Sequence, residues 1–116
     1  MRGLKVVYLG GNADLSEQVL RRLVLAGVRL MRVVVPAPTL VHQGDFPVPL
    51  RQPNLLVAAC EALDLPQVTV SDADQTGLYE ILSGLQPDLI FSVCCPVILA
   101  AEILQVPVQG AYNLHP

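Results

Sequence analysis

The sequence predicts a single α/β domain built on an open, doubly wound parallel sheet. Three observations carry this expectation. Short aliphatic runs recur along the chain and are apolar almost throughout, as strands buried on both faces are. Between them lie segments with apolar residues at helical spacing. Glycine and proline mark the junctions, and the strand-to-strand connections are long enough for right-handed crossovers. The length agrees, because 116 residues allow one domain, residues 1–116.

Taken in order, residues 4–9 (Leu-Lys-Val-Val-Tyr-Leu) form a first strand stopped by Gly10 and Gly11. Asn12 or Asp14 is expected to cap a helix with Leu15, Val19, Leu20, Leu23 and Val24 on one face, closed by Gly27. Residues 28–35 read as a second strand ended by Pro36 and Pro38. Residues 36–52 are proline-rich and without period, and read as a long loop. A helix follows over 54–63, with Pro53 in its first turn. A third strand is expected at 67–70, then a helix capped by Ser71 or Asp72 and ended by Pro87. A fourth strand at 89–93, a short helix over 97–104 and a fifth strand at 111–114 complete the pattern.

Composition bounds the functions. Hydrophobic residues make up 53% and charged residues 15%, which excludes a disordered chain. Aromatics are only 4%, so the core must be aliphatic. No apolar run approaches the roughly 20 residues of a membrane span, and no cleavable signal peptide is recognisable, so the expected location is the cytoplasm without membrane attachment. Net charge is −3, but all seven basic residues lie at or before Arg51, giving +4 there and −7 beyond. The expected reading is that the two halves pair their surfaces, since +4 is far from a nucleic-acid patch. Cys60, Cys94 and Cys95 are expected to be reduced thiols; no CxxC pair is present, and no metal site is expected.

In a sheet of this kind ligands bind outside the carboxyl ends of the strands. That edge gathers the Gly10–Gly11 turn, the turn at Cys94, Cys95 and Pro96, and Asn113 with His115. The first turn lacks the GxGxxG spacing and the P-loop lysine, although a helix N-terminus there could receive an anion. No serine sits in a GxSxG elbow, and His42 is expected in solvent. Asn113 and His115 are two apart at the end of a strand and so share one face. An amide can hydrogen-bond a developing oxyanion and an imidazole can move a proton, the pair that carbonyl transfer needs.

Pro87-Asp88-Leu89-Ile90, the turn at Ile98-Leu99 and Gly110-Ala111-Tyr112-Asn113-Leu114-His115-Pro116 together resemble the 10-formyltetrahydrofolate-dependent formyltransferases. That family includes methionyl-tRNA, glycinamide ribonucleotide and sugar-amine formyltransferases. The resemblance covers the order of elements throughout and is most specific over residues 87–116. It implies a Rossmann-like, formyltransferase-like fold and transfer of a formyl group from 10-formyltetrahydrofolate to an amine. It further implies that Asn113 stabilises the tetrahedral intermediate and that His115 transfers the proton. Pro96, Val97, Ile98, Leu99 and Leu104 would wall the pterin pocket, largely through backbone groups. The two cysteines and Pro96 replace residues usual in the family's folate turn. The family motif continues with Ser-x-x-Pro and a later Asp that orients the His, and both would lie beyond Pro116. The chain therefore reads as the front of a catalytic domain, with poor activity expected of it alone. The proline-rich stretch lacks a basic run, which favours a small amine over tRNA as acceptor. The edge strand at 111–114 is expected to promote homo-oligomers. The alternatives are a non-catalytic folate- or nucleotide-binding module and a structural fragment.

Overall fold

In the computed structural model, which describes residues 3–37, 40–43, 46–49, 54–71 and 74–114, the first strand, β1, is Val6–Gly10. All five of its residues are buried, as the continuous apolar run requires. Then come α1 (Asp14–Leu25), β2 (Leu30–Ala37), β3 (Leu40–Gln43), β4 (Phe46–Pro49) and α2 (Leu55–Ala62). The chain continues through β5 (Gln67–Ser71), α3 (Gln75–Leu85), β6 (Leu89–Val93), α4 (Ala101–Leu104) and β7 (Ala111–Leu114). Five strands form one sheet in the order β5-β2-β1-β6-β7, and every pairing in it is parallel. The strand order runs outward in both directions from β1 and β6, so the sheet has its switch point between them.

Alternation along the strands divides the core into two layers. Val6, Tyr8, Val33, Val35 and Val93 pack with Leu20 of α1 and Leu56 and Cys60 of α2. Val7, Leu9, Val34 and Ile90 face the other way, onto Leu78 and Leu82 of α3 and Ile103 of α4. Helices cover both faces, which is the doubly wound arrangement expected. A chain of buried polar bonds crosses the first layer. The Tyr8 hydroxyl donates to the Ser16 carbonyl at 2.6 Å, and the Ser16 hydroxyl donates to the Val93 carbonyl at 2.6 Å. It ties α1 to the carboxyl end of β6. Burial raises the Tyr8 phenol above its ordinary pKa and pushes the Cys60 thiol up to about 11. All three cysteines are free.

Several local expectations are corrected. Residues 36–52 are not a loop throughout: β2 runs through Pro36 to Ala37, and β3 and β4 pair antiparallel as a hairpin. Pro47 and Pro49 are two apart, so their nitrogens lie on the same side of β4, where a two-stranded ribbon needs no donor. The expected helix over 97–104 shrinks to Ala101–Leu104. Neither Asn12 nor Asp14 caps α1, whose N-cap position is Ala13. Asn12 Oδ1 instead accepts the Leu55 N–H at 2.7 Å, joining the first turn to the start of α2. α3 is capped by Asp74, not Ser71; its carboxylate accepts the Gly77 N–H at 2.8 Å, and Asp72, the other expected cap, lies outside the described residues. Asn54 caps α2 by accepting from Leu56 and Val57; Pro53 lies outside the described residues. Gly27, at φ +85°, closes α1 as expected, with Val28 N–H bonded to the Leu23 carbonyl.

Charge pairing does not join the two halves among the described residues. The ion pair found there, Arg21 with Glu17 at 3.2 Å, lies within α1. No helix among these residues is long and apolar enough to cross a membrane, and they hold no cluster of three or more metal-ligating side chains.

Candidate functional site

The carboxyl ends of β1, β6 and β7 lie side by side because the register pairs Gly10 with Val93, and Ser92 with Asn113. At the switch point the two turns touch. A Cβ on Gly11 would strike the Cys94 carbonyl oxygen and come within 3.2 Å of Pro96 Cδ. Glycine at position 11 is thus explained by close approach, not by a bound phosphate. Asp14 and Glu17 in the first turn of α1 already complement the helix dipole. Cys94 itself turns the chain at φ +49°. That turn sends residues 95–100 away from β6 and over the end of β7.

A cavity of about 360 Å³ opens between this segment and β7. Pro96, Val97, Ile98, Leu99 and Leu104 form one wall. Ala111, Tyr112 and Asn113 form the other, with Ser92 and Cys95 also lining it. All five residues expected to wall a pocket, and Asn113, therefore border one space. Ile98 is 94% exposed, at the open edge of this wall. Its carbonyl accepts from Gln75 Nε2 at 3.0 Å. The Cys95 thiol is raised in pKa by burial, an effect partly opposed by the Val97 N–H that bonds to it. It stays protonated and serves as apolar lining. His115 lies outside the described residues, as does Pro116.

Ser92 is the site residue that reading for motifs missed. It is 4% exposed, and its hydroxyl donates to Asn113 Oδ1 at 2.9 Å. With its oxygen so engaged, the Asn113 amide directs its NH₂ group away from Ser92. The signal was present in the sequence: a serine interrupts Leu-Ile-Phe-Ser-Val, a strand otherwise apolar and buried on both faces. Gln75 had no such signal, because its importance depends on a contact 23 residues away.

The arrangement defines a doubly wound α/β domain with an apolar cavity and a convergent amide at its topological switch edge. No protein-family profile matches the chain. Curated relatives do. The chain is 32% identical over 115 residues to the methionyl-tRNA formyltransferase of Bacillus thuringiensis subsp. konkukian, covering 97% of this chain and 34% of the relative. The methionyl-tRNA formyltransferase of Thermotoga neapolitana is 26% identical over 113 residues. The chain thus spans about a third of the length of the curated relatives it matches, 34% in both cases. In fold it is similar to the crystal structure of glycinamide ribonucleotide transformylase 1 from Geobacillus kaustophilus. That match has a TM-score of 0.66, covers 97% of this chain and 58% of the other, and is 15% identical. Over 97% of its length the chain is thus similar in sequence to formyltransferases.

Proposed function

We propose that this chain supplies the donor pocket and the oxyanion-binding amide of a site transferring a formyl group from 10-formyltetrahydrofolate to an amine. The observation that carries the proposal is the cavity beside residues 96–99 with the Asn113 amide, oriented by Ser92, at its rim. Its apolar walls suit a flat heteroaromatic ring, and the backbone of residues 96–99 suits the ring's polar edge. No metal is needed for this chemistry.

The acceptor amine attacks the formyl carbon, and its new C–N bond converts the formyl carbonyl to a tetrahedral oxyanion. Asn113 donates its NH₂ to that oxygen, where charge develops in the transition state. His115 takes the proton from the attacking nitrogen and returns it to N10 of the folate. The C–N10 bond then breaks, releasing tetrahydrofolate and the formylated amine. His115 carries this role by the Asn-x-His-Pro resemblance alone.

Two observations bear on the acceptor. The curated relatives are named for methionyl-tRNA, whereas residues 36–52 here lack a basic run that would favour tRNA over a small amine. The test is formyl transfer by the protein carrying this sequence, with methionyl-tRNA and a small primary amine offered in parallel. Formylated product with either acceptor, dependent on 10-formyltetrahydrofolate, is expected. Folate binding without any product would instead support a non-catalytic binding module.

A further inference from the structure

We propose that Gln75 is a positioning residue for the donor pocket: its side-chain amide clamps the pocket wall from behind. This rests on the reading of the cavity as the donor site. Gln75 is the first residue of α3, held in place by the Asp74 cap. Its Nε2 donates to the Ile98 carbonyl at 3.0 Å, and its Oε1 accepts the Ala100 N–H at 3.3 Å. One amide thus bonds the backbone on both sides of Leu99, as a neighbouring strand would.

The wall needs such a tie. Residues 94–100 lie outside any helix or strand. Ile98 is 94% exposed, so packing does little to fix the chain there. Ala100 is the N-cap position of α4 and has no side chain to cap the helix. The Gln75 amide holds Ile98 and Ala100. Because Leu99 lies between its two bonds, Gln75 sets how far the wall stands from Ala111 and Asn113 across the cavity. The role needs a donor and an acceptor on one side chain of this length. Methionine keeps the length and loses both, while glutamate keeps the acceptor and loses the donor.

The test compares Gln75→Met and Gln75→Glu with the unaltered protein in two measurements. The first is amide hydrogen exchange at Ala100. The second is the KM for 10-formyltetrahydrofolate against kcat. In Gln75→Met, Ala100 exchange is expected to rise about threefold to tenfold, the size one modest hydrogen bond carries, with the amides of α3 unchanged. KM is expected to rise by a similar factor while kcat holds. Gln75→Glu is expected to keep Ala100 protected and still raise KM, because the Ile98 carbonyl then faces a carboxylate. Unchanged Ala100 exchange in Gln75→Met overturns the clamp. So does a loosened Ala100 with an unmoved KM, or exchange that rises throughout α3 in both variants. Absence of turnover by the unaltered protein defeats the formyl-transfer reading itself, and is distinguishable from all of these.

Discussion

Asn113→Ala is expected to lower the rate of formyl transfer by about 10²–10³-fold, the usual size for removing one oxyanion donor. The Ser92 hydroxyl donates to Asn113 Oδ1 at 2.9 Å, which in the proposed site leaves the NH₂ group for the substrate oxygen. An alanine there has nothing to offer a tetrahedral oxyanion. Folding should suffer little. Asn113 is solvent-exposed at the rim of the cavity, and the Ser92 hydroxyl keeps a second acceptor in the Tyr112 carbonyl at 3.4 Å. The loss is about 1 kcal/mol, one net hydrogen bond. Donor affinity should survive, since the wall at residues 96–99 is untouched. Turnover, donor binding and melting measured on the same variant separate these effects. His115→Ala, which removes the proposed proton carrier, should cost at least as much in rate. Near-normal turnover by Asn113→Ala would exclude the amide from the chemistry.

Leu56→Ala is expected to destabilise the fold by about 2–5 kcal/mol, the range for deleting a buried leucine side chain. Against a typical domain stability of about 5–15 kcal/mol this is a large fraction. Leu56 is 0% exposed, packs in the layer containing Tyr8, Val33 and Val35, and lies close against Gly10. Its neighbour Leu55 is 38% exposed on the same helix. Leu55→Ala should stay within about 0.5 kcal/mol, as surface substitutions usually do. Denaturant unfolding of the two variants side by side checks the assignment of α2's inner face. Equal losses would contradict the packing described.

Much of the central sheet was legible because its strands are buried on both faces. Residues 6–10 and 89–93 read as nearly unbroken apolar runs, too short for helices and bounded by glycine or proline, as doubly buried strands are. The hairpin of β3 and β4 was hidden by its prolines, which argue against a strand unless the ladder is two-stranded and open on the proline side. Residues 97–100 mimicked the start of a helix because Val97, Ile98 and Leu99 are apolar. Their apolar character goes to the cavity wall and, for Ile98, to solvent. The cap of α3 lies two or three residues beyond the expected position, and that of α1 one residue from either candidate. Asn12, the obvious capping residue, is spent on Leu55, 43 residues away.

The site was legible in a different way. Spacing put Asn113 at a strand end, but its partnership with a pocket wall at residues 96–99 came through the resemblance to a family. Local pattern does not carry it. The bonds that shape the site join residues 21, 23 and 25 apart, between Ser92 and Asn113 and between Gln75 and the wall. Contacts of that range are created by the crossovers and leave no periodic mark.

The most direct measurement is a titration of the chain with a stable reduced formylfolate, followed residue by residue through its backbone amide resonances. Shifts are expected to concentrate at Cys95, Val97, Ile98, Leu99, Ala111 and Asn113. None is expected at Lys5, Ser83 and Gln86, which line a separate groove at the amino end of the sheet. Shifts confined to that amino-end groove, or no shifts with saturating ligand, would contradict the proposed donor pocket.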